Sequence, residues 1–138
     1  MDMRDGVLWT PLLCACYWGN ADIVSLLLER GADPLVVGRE RHTALMMAGN
    51  GYSGPGSDHV AVIRLLLKDG RVPVDARDEH GCSAISLACR DGRTERARVL
   101  LVEGLADHTI ADDEGDTPMA VAQRCGREDC THLLQVRD

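Results

Sequence analysis

The sequence predicts an all-α solenoid of four stacked helix-turn-helix units, and three observations predict it. First, a hydroxyl residue opens an apolar stretch four times: TPLLCAC at Thr10, TALMMAG at Thr43, SAISLAC at Ser83 and TPMAVAQ at Thr117, at spacings of 33, 40 and 34 residues. Second, each opening is followed by another apolar stretch: IVSLLLERG, VAVIRLLLKDG, RARVLLVEG and the weaker CTHLLQV. Third, Gly31, Gly70 and Gly104 punctuate the ends of the first three of these stretches. A fixed period of this length marks a repeat architecture. One helix pair cannot bury both its faces, whereas stacked pairs share a continuous core.

Taken in order, each first helix has a start signal. Thr10, Thr43, Ser83 and Thr117 are good N-caps, because a side-chain oxygen can accept from a backbone N–H left unpaired at the helix start. Pro11 and Pro118 follow at the first helical position, where the missing N–H costs nothing. Ala44 and Ala84 take that place in the second and third units. Asp58 and Thr94 are expected to cap the second helices of their units. Gly31, Gly70 and Gly104 are expected to carry the chain through left-handed space after the second helices. The hydroxyl-to-leucine distance is 18 residues from Thr10 to Leu28 and again from Ser83 to Leu101. The second unit carries an insertion at 51–58 (GYSGPGSD), which reads as a flexible surface loop. Either added length is simply tolerated there or Tyr52 makes a partner-specific contact.

The period, the T-P-L opening and the leucine-rich second helix ending in G-A-D together resemble the ankyrin repeat. WTPLLCACYWGNADIVSLLLERGAD carries the resemblance most fully. It covers nearly the whole chain, as repeats at about 5–37, 38–77, 78–111 and 112–138 of one domain. The resemblance implies β-hairpin-like loops between repeats and a concave binding face built from first helices and hairpin tips. It also implies a non-catalytic module that binds a protein or peptide, as adaptor, scaffold or inhibitor. The family's histidine three residues after the opening Thr is replaced here by Leu13, Met46, Ser86 and Ala120, so its polar ladder between repeats is missing or replaced.

Carried over by position, the family's contact residues are Trp9, Tyr17 and Trp18 in unit one, and His42 and Asn50 in unit two. In unit three they are Glu79, His80, Cys82, Arg90 and Asp91, and in unit four Asp113, Glu114, Asp116, Arg124 and Cys125. Helical spacing turns Leu12, Ala15 and Cys16 inward and leaves Tyr17 and Trp18 at the exposed end of their helix. Three of the chain's four aromatic rings thus gather at one place, Tyr52 being the fourth. Rigid amphipathic rings are common anchors of binding energy; the alternative is that they pack on one another. The acidic tips RDEHG and ADDEGD suggest a ligand with an apolar anchor at one end and Lys or Arg at the other.

Composition narrows the function further. With 138 residues, 45% hydrophobic and 27% charged, the chain suits one ordinary domain. Aromatics at 3% make the core aliphatic. A formal net charge of −7 argues against nucleic acid and against an anionic membrane as partner. No apolar run approaches the roughly 20 residues needed to span a bilayer, and the first residues lack a signal-peptide layout. Six scattered Cys, mostly in apolar helical stretches, read as free thiols of a reducing compartment, cytosol or nucleus. Cys125, Cys130 and His132 fall within eight residues but want the fourth ligand of a zinc site. GNGYSGPGS lacks the Lys-Ser/Thr ending of a phosphate loop. No metal, cofactor or catalytic grouping is expected. All five His read as surface or helix-end residues, and Cys82 and Cys125 as exposed thiols open to oxidation.

The ends differ. Glu128, Asp129, Thr131 and His132 give the last unit a polar outer face, whereas the first unit is as apolar as an internal one. An alternative expectation follows: a fragment of a longer array or multidomain protein, whose first repeat docks on a neighbouring domain or self-associates.

Overall fold

The computed structural model describes residues 10–137. Eight α-helices run in chain order: α1 Pro11–Trp18, α2 Ala21–Glu29, α3 Ala44–Asn50, α4 His59–Asp69, α5 Ala84–Arg90, α6 Thr94–Val102, α7 Pro118–Arg124 and α8 Glu128–Arg137. No strand occurs among the described residues. The first helices α1, α3, α5 and α7 pack one on the next in a single layer, and α2, α4, α6 and α8 do the same in a second layer. This is the expected solenoid.

The first helices are seven or eight residues long. Helices this short do not persist alone in water, so stacking holds them. The core runs lengthwise through Val24, Leu45, Ile63, Leu66, Ile85, Leu100 and Leu134, all fully buried. Small residues set the spacing of the inner layer: a Cβ on Gly49 would sit 3.3 Å from the Ala84 carbonyl oxygen of the next unit.

The opening hydroxyls do what the sequence predicts. The side chains of Thr10, Thr43, Ser83 and Thr117 accept from the backbone N–H groups of Leu13, Met46, Ser86 and Ala120. Asp58 likewise caps α4 through the N–H of Ala61. Two expectations fail. Thr94 is not a cap, because Arg93 holds the cap position and offers no side-chain acceptor. Nor does Gly104 turn left-handed; Leu105 does, at φ 54, because the chain stays helical one residue longer after α6.

Three tips join the units with one repeated geometry. The backbone N–H groups of Gly38, Asp78 and Asp112 donate to the carbonyls of His42, Cys82 and Asp116. Left-handed residues close these turns: Arg41, Gly81 and Gly115. The tips are tied to one another, since Glu79 N–H donates to Glu40 O at 3.0 Å and Asp113 N–H to His80 O at 2.9 Å. Arg77 adds a bond from Nη2 to the Ala111 carbonyl at 2.7 Å. These bonds form a rail that joins the three tips.

Candidate functional site

The end of α1 displays a ring cluster. Trp18 is 55% exposed and Tyr17 half-buried, their centroids 5.1 Å apart and their planes at 88°. Tyr52, from the inserted segment, is 56% exposed and meets Trp18 edge-on at 5.7 Å. Sequence reasoning left Tyr52 outside this cluster; the structure brings it in. Trp9 lies outside the described residues. The rings both pack on one another and face solvent, so the two readings of them are not exclusive.

The inserted segment 51–58 is not a loose loop, and the reason lies at the end of α3. In units one, three and four, Gly19, Gly92 and Gly126 follow the first helix in left-handed conformation, at φ 71, 72 and 71. There the backbone N–H groups turn back to the last helical carbonyls. Each of these glycines stands nine residues after its opening hydroxyl; Tyr52 stands there in unit two. Gly51 is extended instead, at φ −67 and ψ 161, and leaves carbonyls of α3 without that closure. Arg96 of α6 supplies the missing donors. Its Nη1 reaches the carbonyls of Ala48, Gly49 and Gly51 at 3.3, 3.2 and 2.8 Å. Its Nη2 donates to Ser53 Oγ at 2.9 Å and to His59 Nδ1 at 3.0 Å. A cation at a helix C-terminus is also favoured by the helix dipole.

His59 is a helix-end residue, as the sequence suggests, since it opens α4, but it is buried there at only 4% exposed. Its Nε2 donates to the Tyr17 carbonyl at 2.8 Å while Nδ1 accepts from Arg96, which fixes the neutral tautomer with the proton on Nε2. Burial first lowers its pKa; the Tyr17 bond and Asp58 act upward, and Arg96 and Arg93 act downward. The unfolded chain therefore binds this proton more readily, and stability rises with pH. His59 should cost the fold nothing above about pH 6.5, the ordinary histidine value. As pH falls from there through the lower folded value, stability should drop by at most about 1.4 kcal/mol per unit, the limit for one proton. Urea unfolding at pH 7.5 and 5.5 reads this, and His59→Gln should flatten the difference.

The predicted contacts of units three and four surround a cleft of about 340 Å³ on the inner face. The structure brings together His80, Cys82, Arg90, Asp113, Glu114 and Arg124 there, over a floor of Leu87 and Val121. Ser86 Oγ lies buried in that floor without a hydrogen-bond partner. Charges here are largely paired: Arg124 with Asp116 at 3.0 Å, Arg90 with Asp91 at 3.4 Å, and Arg77 with Asp113 at 3.8 Å. His80 faces Glu40 at 3.3 Å. Glu79 is exposed but does not line the cleft. Two predicted contacts are less available than expected. His42 is occupied by Asp78 at 3.1 Å, and Asn50 turns its Oδ1 inward.

The cysteines also depart from expectation. Cys82 is half-buried, and burial, then Asp78, push its pKa up to about 11, so it stays a thiol rather than a reactive thiolate. Cys125 is exposed, but Cys130 is buried against Cys89 and Thr94 and faces the core.

The chain matches the family model described as Ankyrin repeats (3 copies) over residues 56–137, and that described as Ankyrin repeat over residues 8–39. It is 36% identical over 127 residues to an ankyrin repeat and KH domain-containing protein of Caenorhabditis briggsae, covering 91% of this chain and 4% of that protein. It is 37% identical over 116 residues to ankyrin repeat and SOCS box protein 16 of Mus musculus, covering 82% and 25%. Human transient receptor potential cation channel subfamily A member 1 is 27% identical over 125 residues, covering 91% and 10%. The chain thus spans a quarter or less of the length of these relatives.

Proposed function

Because this chain belongs to the ankyrin repeat family, whose members are in general non-catalytic modules that bind other proteins, we propose that it holds a partner protein or peptide on the ring cluster and the inner face. The exposed cluster of Trp18, Tyr52 and Tyr17 carries this reading. Two large rings left more than half exposed are costly to display to water and are the residue types that dominate binding energy at interfaces. Glu79, Asp113 and Glu114 at the tips complement a ligand with basic residues beyond its apolar anchor. The role is that of an adaptor, scaffold or inhibitor. The free cysteines favour a reducing compartment, cytosol or nucleus. No described helix is long and apolar enough to cross a membrane.

Capture of partners followed by mass spectrometry identifies the ligand, and calorimetry with the purified partner then tests the surface. Trp18→Ala combined with Tyr52→Ala should weaken binding about thirtyfold or more, the scale of a lost hot spot. The melting temperature should scarcely change. Unaltered affinity with a large melting loss would assign the rings to packing alone.

One observation favours a second reading. Ile23 and Leu26 of α2 are 40% and 41% exposed on the outer layer. They fit a first repeat that docks on a neighbouring domain or on a second copy, and sedimentation velocity at rising concentration separates those two.

A further inference from the structure

We propose that protonation of His59 switches the ring cluster: the neutral imidazole keeps Arg96 on the inserted segment, and the imidazolium lets that segment carry Tyr52 away from Trp18. The switch rests on the reading of these rings as a docking site and adds its regulation.

One imidazole reaches both sides of the cluster. Tyr52 lies between Gly51 and Ser53, and Arg96 holds both neighbours, Nη1 donating to the Gly51 carbonyl at 2.8 Å and Nη2 to Ser53 Oγ at 2.9 Å. The same Nη2 donates to His59 Nδ1 at 3.0 Å. On its other side, His59 Nε2 donates to the Tyr17 carbonyl at 2.8 Å. The ring also lies against Gly19, where an added Cβ would fall 2.6 Å from its Cε1. Tyr17 and Gly19 flank Trp18, so His59 is pinned to the end of α1 and cannot retreat.

Protonation leaves one bond intact and reverses the other. Nε2–H still donates to Tyr17. Nδ1 gains a hydrogen, so a donor then faces a donor, with a positive charge on each side. Like charges repel strongly where water is excluded, and His59 and Arg96 are 4% and 5% exposed. The charges acting on His59 are Arg96 and Arg93 of α6 and Asp58 of its own cap, two of the three positive. Asp58 already accepts from Ala61 N–H, and Glu95, nearby on α6, pairs with Arg98 at 3.1 Å. The inserted segment adds Ser53 and Ser57, which are neutral. A pocket of about 360 Å³ between this segment and the start of α6 gives the guanidinium room to pivot. Nη1 stays on the α3 carbonyls while Nη2 swings off His59 and Ser53. Beyond Ser53 the segment is a self-contained turn: Ser57 N–H and Oγ–H both donate to the Gly54 carbonyl, at 3.1 and 2.8 Å. The Tyr52 ring lies across Gly54, whose added Cβ would sit 3.2 Å from Cε2, so turn and ring move together. Burial first, and the two arginines after it, keep His59 neutral in the fold below its ordinary value. The cluster is therefore closed at neutral pH and opens on acidification below about pH 6.5.

The full chain, labelled with nitrogen-15, is followed by NMR from pH 7.5 to 5.5 with no partner present. The His59 ring nitrogens, the Ser53 amide and the Trp18 indole N–H should move with one common midpoint below pH 6.5. Cross-relaxation between the Trp18 and Tyr52 rings should weaken at that midpoint, while the amides of Leu87 and Val121 keep their native positions. His59→Gln should hold the ring contact constant, because its amide can donate to Tyr17 and accept from Arg96 without titrating. Should that variant misfold, the common midpoint in the unaltered chain decides the matter. Rings that stay in contact after His59 has titrated, or that part only as every native amide is lost, overturn the switch and leave the docking reading standing. With a captured partner, calorimetry below the midpoint should show binding about tenfold weaker than at pH 7.5, the scale of one lost interface ring. Equal affinity while the rings part would instead count against the docking site.

Discussion

Arg96→Leu should lower the stability of the chain by about 3–5 kcal/mol, the largest loss of any single polar substitution in this molecule. Leucine fills much of the volume but donates nothing. The carbonyls of Ala48, Gly49 and Gly51 would lose their donor together, along with Ser53 and His59. Each buried acceptor left unmet costs about 1–3 kcal/mol. Relief from holding a charge in the interior offsets part of this, which is why the total stays below a simple sum. Urea unfolding measures the loss directly. In a chain of this size, the melting temperature should fall by roughly 10–20 °C. Arg98→Leu, two residues along the same helix but exposed and paired only with Glu95, should cost under about 0.5 kcal/mol. A loss below about 1 kcal/mol for Arg96→Leu would mean that the α3 carbonyls find water without it.

Gly51→Ala should cost about 3 kcal/mol, at the upper end of overpacking penalties. Its backbone angles suit any residue, so the penalty is one of space. A Cβ there would overlap the Tyr17 carbonyl oxygen and lie 2.7 Å from that of Met47. Both obstacles are main chain and cannot rotate away. Tyr17 O also receives the His59 bond, so the methyl group would force units one and two apart and loosen His59 at once. Equilibrium unfolding checks the size of the loss. A change under about 0.5 kcal/mol would show that the two units slide past one another freely.

Features that depend on residues near in sequence were legible beforehand. Thr10, Thr43, Ser83 and Thr117 cap helices because their oxygens reach an N–H only three residues on. Features that depend on residues about 40 positions apart were not. Arg96 sits in RARVLLVEG and reads as the polar face of a surface helix; nothing within that helix reveals that it closes α3. The available signal was an absence, the missing glycine at position 52, where three sister units carry one. Tyr52 was misplaced for the same reason. In the sequence the insertion looks like length added to a turn, whereas its anchoring by Arg96 and Ser53 sets where the ring lands. Of the predicted inner-face residues, His80, Arg90, Asp113, Glu114 and Arg124 converge on one cleft, because equal tips and equal helix ends are set by the repeat itself. The tip at 38–42 has Gly38 where Asp78 and Asp112 serve the others, and its His42 pairs with Asp78, whereas Asn50 ends α3, the first helix that lacks the left-handed glycine of its sisters. Those aspartates accept from the N–H groups two and four residues on.

The guanidinium that closes α3 belongs to the following helix pair, so the second pair cannot complete its own hydrogen bonding unless the third has already docked. In a linear array whose members otherwise fold on nearest-neighbour terms, this welds the two middle members into a single cooperative block. Unzipping then begins at the outer members and halts at that weld, and the inserted segment shares the lifetime of the block rather than that of an ordinary surface turn.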